Sequence, residues 1–243
     1  MAGNRVALIT GGNKGIGLET ARQLGKQKIT VLIGARDQAR GRDAADKLKA
    51  EGIDARAVTL DVTDAASIAA AAAQVTKDFG RLDILINNAA VMQHGRDGAP
   101  STTTVAVHRE TFEANFFGLI AVTQAFLPLL RKSEGGRIVN LTSILGSLAE
   151  HSDPNSPIHH ARIVAYDCSK AAVNMFTIEL AQELKDTKIK VNAAHPGWVK
   201  TDLGGADAPM EIVDGAKTSV WLATLDEKGP SGGYFHKDVH MRW

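Results

Sequence analysis

Tyr166 and Lys170 stand four residues apart in Tyr166-Asp167-Cys168-Ser169-Lys170, downstream of Ser143. On a helix that spacing sets the phenol and the ammonium on one face. A neighbouring cation favours ionisation of a phenol and makes it a usable acid or base. Far upstream lies a glycine-rich turn, Gly11-Gly12-Asn13-Lys14-Gly15-Ile16-Gly17, between a short apolar run and an amphipathic stretch. Glycines at such a turn let the backbone approach a phosphate, and the following helix offers its first N–H groups to the same anion. The chain therefore reads as one that moves a proton beside a bound nucleotide. The glycine spacing is Gly-x-x-x-Gly-x-Gly, not the Gly-x-Gly-x-x-Gly of the commonest dinucleotide fingerprint, so by itself the turn is open to a structural reading.

The elements that must position these residues alternate along the chain. Val6 to Ile9, Thr30 to Ile33, Ala55 to Leu60, Ile84 to Ile86, Arg137 to Leu141 and Lys190 to Ala194 are short apolar runs without strict alternation, the pattern of buried strands. Gly15 to Lys26, Arg40 to Glu51, Ala65 to Phe79, Thr102 to Arg131, Ala165 to Lys185 and Met210 to Leu222 read as helices between them. That rhythm predicts a single α/β domain over residues 1–243, a Rossmann-type doubly wound parallel sheet with helices on both faces. His151 to His160 and Trp198 to Pro209 are irregular, and a loop at about 198–210 is the expected substrate loop.

The second strand ends near Ala35, where enzymes preferring the unphosphorylated dinucleotide carry an acid for the ribose hydroxyls. Here Arg36 follows and Lys14 sits in the glycine turn, two cations that suit a 2′-phosphate, with Asp37 nearby. NADP(H) is accordingly expected in preference to NAD(H). Asp61-Val62 closes the third strand and Asn87-Asn88-Ala89-Ala90 the fourth, both at carboxyl ends of strands where ligands bind in open α/β sheets. Asn115, a poor helix former, lies inside a predicted helix, either as a satisfied core amide or as a polar group kept at a site.

Composition bounds the remaining classes. The 243 residues are 44% hydrophobic and 23% charged, with a formal net charge of +1, which gives no electrostatic footprint for nucleic acid or an anionic membrane. The most apolar longer stretch, Phe116 to Leu130, carries Gly118, Thr123, Gln124 and Pro128 and reads as a buried helix. The single cysteine, Cys168, suits a reducing compartment, so a cytoplasmic protein is expected. The first apolar run leads straight into the glycine turn, so a cleaved signal peptide is not expected there. His151, His159 and His160 lack the cysteines or clustered carboxylates that would complete a shell, and no metal site is assigned.

Together Thr10 to Gly17, Asn87 to Ala90, Asn115, Ser143, Tyr166-x-x-x-Lys170 and Pro196-Gly197 resemble the short-chain dehydrogenase/reductase family, in order and spacing from Arg5 to about Leu203. Gly34-Ala35-Arg36-Asp37, Pro196 to Asp202 and the tail ending in Trp243 make the chain similar, within that family, to NADPH-dependent carbonyl reductases. The resemblance implies an oxidoreductase that reduces a ketone, aldehyde or quinone. In it Tyr166 exchanges the proton, Ser143 holds the carbonyl oxygen, Lys170 lowers the tyrosine pKa and holds the nicotinamide ribose, and Asn115 places a relay water. It further implies cofactor contacts from Gly11, Asn13, Lys14, Gly15, Ile16, Gly17, Arg36, Asp61, Val62, Asn88, Ala89, Pro196, Gly197, Val199 and Thr201, besides Tyr166 and Lys170. Val91, Met92, Leu145 and Trp198 are candidates for the substrate wall or for plain packing.

Departures from the family pattern are Ala90 in place of a glycine, Cys168, and a gap of 22 residues between Ser143 and Tyr166. That gap leaves monomer and homo-oligomer both open. A protein that binds NADP as a redox signal without turnover is the alternative reading. Such a protein typically loses the active tyrosine or lysine, and this chain keeps both.

Overall fold

The computed structural model describes residues 4–243. Eight strands form one sheet: β1 (Val6–Thr10), β2 (Thr30–Ala35), β3 (Ala55–Thr59), β4 (Ile84–Asn87), β5 (Arg137–Leu141), β6 (Lys190–Ala194), β7 (Tyr234–His236) and β8 (Val239–His240). Their order is β3-β2-β1-β4-β5-β6-β7-β8, parallel throughout except for the antiparallel β7–β8 pair. The strand order reverses between β1 and β4, so both open their carboxyl ends onto one crevice. The expected α/β architecture and its six predicted strands are present.

Strand residues alternate between two buried layers. Ala7, Ile9, Val31, Ile33, Ile84 and Ile86 face one layer with Ala21 and Leu24 of α1 (Gly15–Gly25) and Leu48 of α2 (Gln38–Ala50). Leu8, Leu32, Leu85, Ile138 and Val191 face the other, with Ile68 and Val75 of α3 (Ala65–Phe79) and with Val122 and Phe126 further along the chain. Both faces are covered, which is why the strands read as continuous apolar runs.

The helix expected over Thr102–Arg131 runs as α4 (Val105–Phe112), a π-helical turn (Glu113–Phe117) and α5 (Gly118–Leu130). By length and composition this stretch, Val105–Leu130, is apolar enough to cross a membrane, but half of its apolar window is buried, with Val122, Phe126 and Leu130 in the core. A short α6 (Leu148–Ser152) reaches two residues into the segment His151–His160, which is otherwise irregular as expected, and α7 (Val164–Glu183) carries Tyr166 and Lys170. The helix expected over Met210–Leu222 starts only after Met210, which bridges to Val199 in extended conformation, and it divides at Ala216 into α8 (Ile212–Gly215) and α9 (Lys217–Ala223). The β7–β8 hairpin was not foreseen. Its turn holds Lys237 at φ 57°, a left-handed conformation that the sequence does not announce with an Asn-Gly or Asp-Gly pair.

A buried polar ladder ties the layers together beneath the crevice. Asn87 Nδ2 donates to Thr123 Oγ1 and to Asn140 Oδ1, each at 2.9 Å, and Asn140 Nδ2 donates to Thr177 Oγ1 at 2.9 Å. It joins β4, α5, β5 and α7. Asn140→Ala strands one donor and one acceptor in the core and should cost about 2–4 kcal/mol in urea unfolding; a loss under about 1 kcal/mol would mean that water reaches the gap.

Candidate active site

At the carboxyl end of β1 the glycine turn adopts backbone that side chains resist: φ is +61° at Gly11 and +55° at Gly15. A Cβ at Gly17 would lie 2.6 Å from both Asn88 Nδ2 and the Gly11 carbonyl oxygen, so the turn closes only without one. Thr10 Oγ1 accepts the backbone N–H of Asn88 and of Ala89, each at 2.9 Å, while Asn88 Nδ2 donates to the Thr10 carbonyl at 2.8 Å. The ends of β1 and β4 are thereby sewn together. Helix α1 starts at Gly15 with no side-chain cap, so its first amides, which have no intrahelical acceptor, point at the crevice unclaimed.

Two strands away, Ser143 follows β5, and its hydroxyl, which accepts the Leu145 N–H at 3.2 Å, stands beside the Tyr166 phenol. Lys170, 2% exposed, donates from Nζ to the Leu141 carbonyl at 2.8 Å and lies 5.6 Å from the Tyr166 ring centroid. Burial lowers the Lys170 ammonium to about 8. Burial also pushes the Tyr166 phenol above its ordinary value, aided by the Asp167 charge and opposed by the Ser143 bond. The expected lowering by Lys170 is thus not the net outcome here: the ammonium is spent on Leu141, and loss of water dominates. Such a phenol is protonated at neutral pH, the state from which a general acid starts.

Asn115 sits in the π-helical turn, not in regular helix. Its Oδ1 accepts the Val91 N–H at 2.7 Å, and its Nδ2 donates to the Val91 carbonyl at 2.9 Å and to Ser169 Oγ at 3.0 Å. Beyond β6, Gly197 has φ +92°, and Thr201 approaches within 3.5 Å of where a Gly15 side chain would begin. The glycine cradle, the Ser143–Tyr166–Lys170 cluster and the Pro196-Gly197 turn therefore share one edge of the sheet.

The short chain dehydrogenase family model matches residues 5–211. The chain belongs to that family. The dehydrogenase is 33% identical over 280 residues to carbonyl reductase (NADPH) 1 of Homo sapiens, covering 100% of this chain and 99% of that protein. It is 31% identical to the (+)-neomenthol dehydrogenase of Capsicum annuum, with 96% of each covered. NADPH-bound carbonyl reductase from chicken fatty liver superposes with a TM-score of 0.86 at 30% identity, 99% of each chain. Salutaridine reductase from Papaver somniferum does so with 0.83 at 30% identity, over 97% of this chain and all of the other.

In the dehydrogenase the outer rim differs in detail from the sequence expectation. Lys14 pairs with Asp202 at 2.5 Å, both well exposed, at a cavity of about 340 Å³ lined also by Asn13, Arg40 and Lys47. Arg36 is exposed at the end of β2 and does not line that cavity. Arg40 and Lys47 escaped sequence reasoning, although Asp37 fixes the start of α2 by accepting from the Arg40 N–H, and positions 40 and 47 then fall on one helix face. Asp61 Oδ1 accepts from Thr63, and the Val62 carbonyl packs where a Gly118 side chain would stand, so both residues shape the end of β3. Val199 is buried, Ile16 and Pro196 are half-buried, and Trp198 is 58% exposed with Nε1 on the Gly204 carbonyl. Val91, Met92 and Leu145 are half-buried around the cluster. His151 Nε2 contacts the Leu145 carbonyl at 3.0 Å, and His159 Nδ1 the His151 carbonyl at 2.9 Å, so both imidazoles fasten the segment preceding α7.

His195 was also missed. Its Nδ1 accepts the N–H groups of Ile144 and Gly197, each at 3.3 Å, joining the serine turn to the Pro196-Gly197 turn. Burial, with His236 beside it, lowers this imidazole from 6.5 to about 3. The folded protein thus declines a proton that the unfolded chain accepts below pH 6.5; the resulting stability is complete above that pH and drains away as pH falls toward 3. Relative to the dehydrogenase itself, His195→Asn should gain about 1 kcal/mol of unfolding free energy per pH unit between about pH 6 and 4 in urea titrations. Parallel pH curves would show that His195 takes its proton in the folded state.

Proposed function

We propose that the dehydrogenase transfers hydride between NADP(H) and a carbonyl/alcohol pair, reducing a ketone, aldehyde or quinone. The observation that carries this reading is the phenol of Tyr166, beside the Ser143 hydroxyl and with its ring 5.6 Å from the Lys170 ammonium, on the same sheet edge as a glycine cradle built to admit a phosphate backbone. The cradle fits a dinucleotide: a Cβ would fill it at Gly17, and the amides opening α1 lack acceptors. Lys14, Arg40 and Lys47 outnumber Asp43 and Asp202 around one cavity, and with Arg36 at the end of β2 they favour a 2′-phosphate. The exposed Lys14–Asp202 pair is worth little, so Lys14 is free to exchange partners. NADPH in the name of the human relative and in the chicken structure supports the same choice.

The bound nicotinamide supplies the hydride chemistry. Tyr166 gives its proton to the substrate carbonyl oxygen, or takes it back in alcohol oxidation, and Ser143 hydrogen-bonds the same oxygen as charge develops. Lys170 and Tyr166 hold the nicotinamide ribose, and Asn115 orders the proton path. Gly11, Asn13, Gly15, Ile16 and Gly17 hold the phosphates; Asp61 and Val62 flank the adenine; Asn88 and Ala89 meet a ribose; Pro196, Gly197, Val199 and Thr201 receive the nicotinamide amide. The chain works as one domain, and the 198–210 loop, folded over the glycine turn through Thr201 and Asp202, borders the substrate.

Titrating NADPH and NADH by fluorescence and following NADPH absorbance with ketones, aldehydes and quinones tests the proposal. Tyr166→Phe should lower kcat about 10²–10⁴-fold with NADPH binding intact, and retained turnover would remove Tyr166 from the reaction. Arg36→Asp should weaken NADPH about ten- to a hundredfold, as loss of a charge-assisted contact implies, with NADH nearly unaffected. Equal loss for both cofactors would remove Arg36 from phosphate selection. Binding without turnover of any carbonyl would favour a redox sensor.

A further inference from the structure

The residue before α7, Ile163, supplies no side-chain cap, so the first amides of this helix must find acceptors elsewhere. They find them in a segment 66 to 69 residues away in sequence. Val164 N–H donates to the Gly98 carbonyl at 3.2 Å, Ala165 N–H to Asp97 Oδ1 at 3.0 Å, and Tyr166 N–H to Asp97 Oδ2 at 2.9 Å. A cap normally comes from the residue adjoining its helix; here both oxygens of one distant carboxylate are committed to it.

The Tyr166 carbonyl is held as well. It accepts from Ser169 Oγ at 2.7 Å, Ser169 Oγ accepts from Asn115 Nδ2, and the Asn115 amide grips both backbone groups of Val91. Val91 opens the segment that Asp97 closes. The bonds therefore form a circuit: Tyr166 N–H, Asp97, the chain back to Val91, Asn115, Ser169 and the Tyr166 carbonyl. Arg96 steadies the segment from outside through a two-pronged pair with Glu110 on α4, at 2.7 and 2.9 Å.

We propose that Asp97 is a positioning residue for Tyr166: it fixes the backbone from which the phenol reaches substrate and couples that placement to the segment bearing Val91 and Met92. This rests on the proposed reductase reading for its effect on turnover, but not for its effect on the backbone. Displacement of a reacting group by an ångström costs up to about a hundredfold in rate, whereas the glycine cradle that takes the cofactor phosphates lies on α1 and at the ends of β1 and β4, and Lys170 sits a turn further into α7.

The test compares Asp97→Ala and Asp97→Asn with Thr104→Ala, which removes the cap of α4 and so weakens a neighbouring helix without touching the circuit. Asp97→Ala should lower kcat about ten- to a hundredfold while the Kd for NADPH stays within about twofold. Asp97→Asn keeps one acceptor and should fall between it and the unaltered protein, and Thr104→Ala should keep its kcat. Amide hydrogen exchange at Tyr166, measured without cofactor, should accelerate most in Asp97→Ala, less in Asp97→Asn and not in Thr104→Ala. A kcat no lower than that of Thr104→Ala, or one that falls in step with NADPH affinity, overturns the proposal. If the unaltered protein reduces no carbonyl, the reductase reading fails by itself; exchange at Tyr166 then decides the circuit, which unchanged protection in Asp97→Ala would overturn.

Discussion

An ammonium almost fully removed from water sets the terms for this molecule. Lys170 has a backbone carbonyl, Leu141 O, as its partner, and no carboxylate offsets its burial. An arrangement of that kind survives only if the surroundings are rigid enough to keep the carbonyl in place. They are: Thr142 Oγ1 donates to the Lys170 carbonyl at 3.3 Å, and a Cβ at Gly146 would lie within 2.7–2.9 Å of Lys170 atoms, so the serine turn and α7 meet backbone to backbone. Ser143 is carried on that contact. The distance between its hydroxyl and the phenol follows from the seating of the lysine.

Burial acts in opposite senses on the two ionisable partners, raising the phenol and lowering the ammonium to about 8. Without a ligand the lysine is the more acidic of the two, the reverse of their order in water. A phenol raised in this way is protonated at neutral pH and is a weaker acid than in water. Added positive charge beside it would bring its pKa back down.

The six core strands were legible because each is a short, mainly apolar run between helical stretches, and the glycine turn, Tyr166 and Lys170 because their roles depend on spacing within a few residues. Helix existence was legible and helix detail was not. The π-helical turn around Asn115 leaves only a poor helix former as its trace, and Lys237 takes a left-handed conformation without the usual turn residues. Asp97 acts on partners 68 and 69 residues away and His195 on Ile144, 51 residues away, at distances where no sequence periodicity operates. Arg40 and Lys47 were accessible in principle from the cap at Asp37, whereas the pairing of Lys14 with Asp202 required the fold itself.

The π-helical turn at Glu113–Phe117 also bears on the aim of Asn115. Each α-helical residue turns the axis by about 100°, and a π turn accommodates one residue more than the regular helix does. Asn115 falls within that turn, before the apolar stripe of Val122, Phe126 and Leu130. The wider turn absorbs its extra residue locally, so the apolar stripe after it keeps its phase while Asn115 turns its amide to Val91 and Ser169. A side chain can thus be aimed at the crevice without taking a position from the core-facing row.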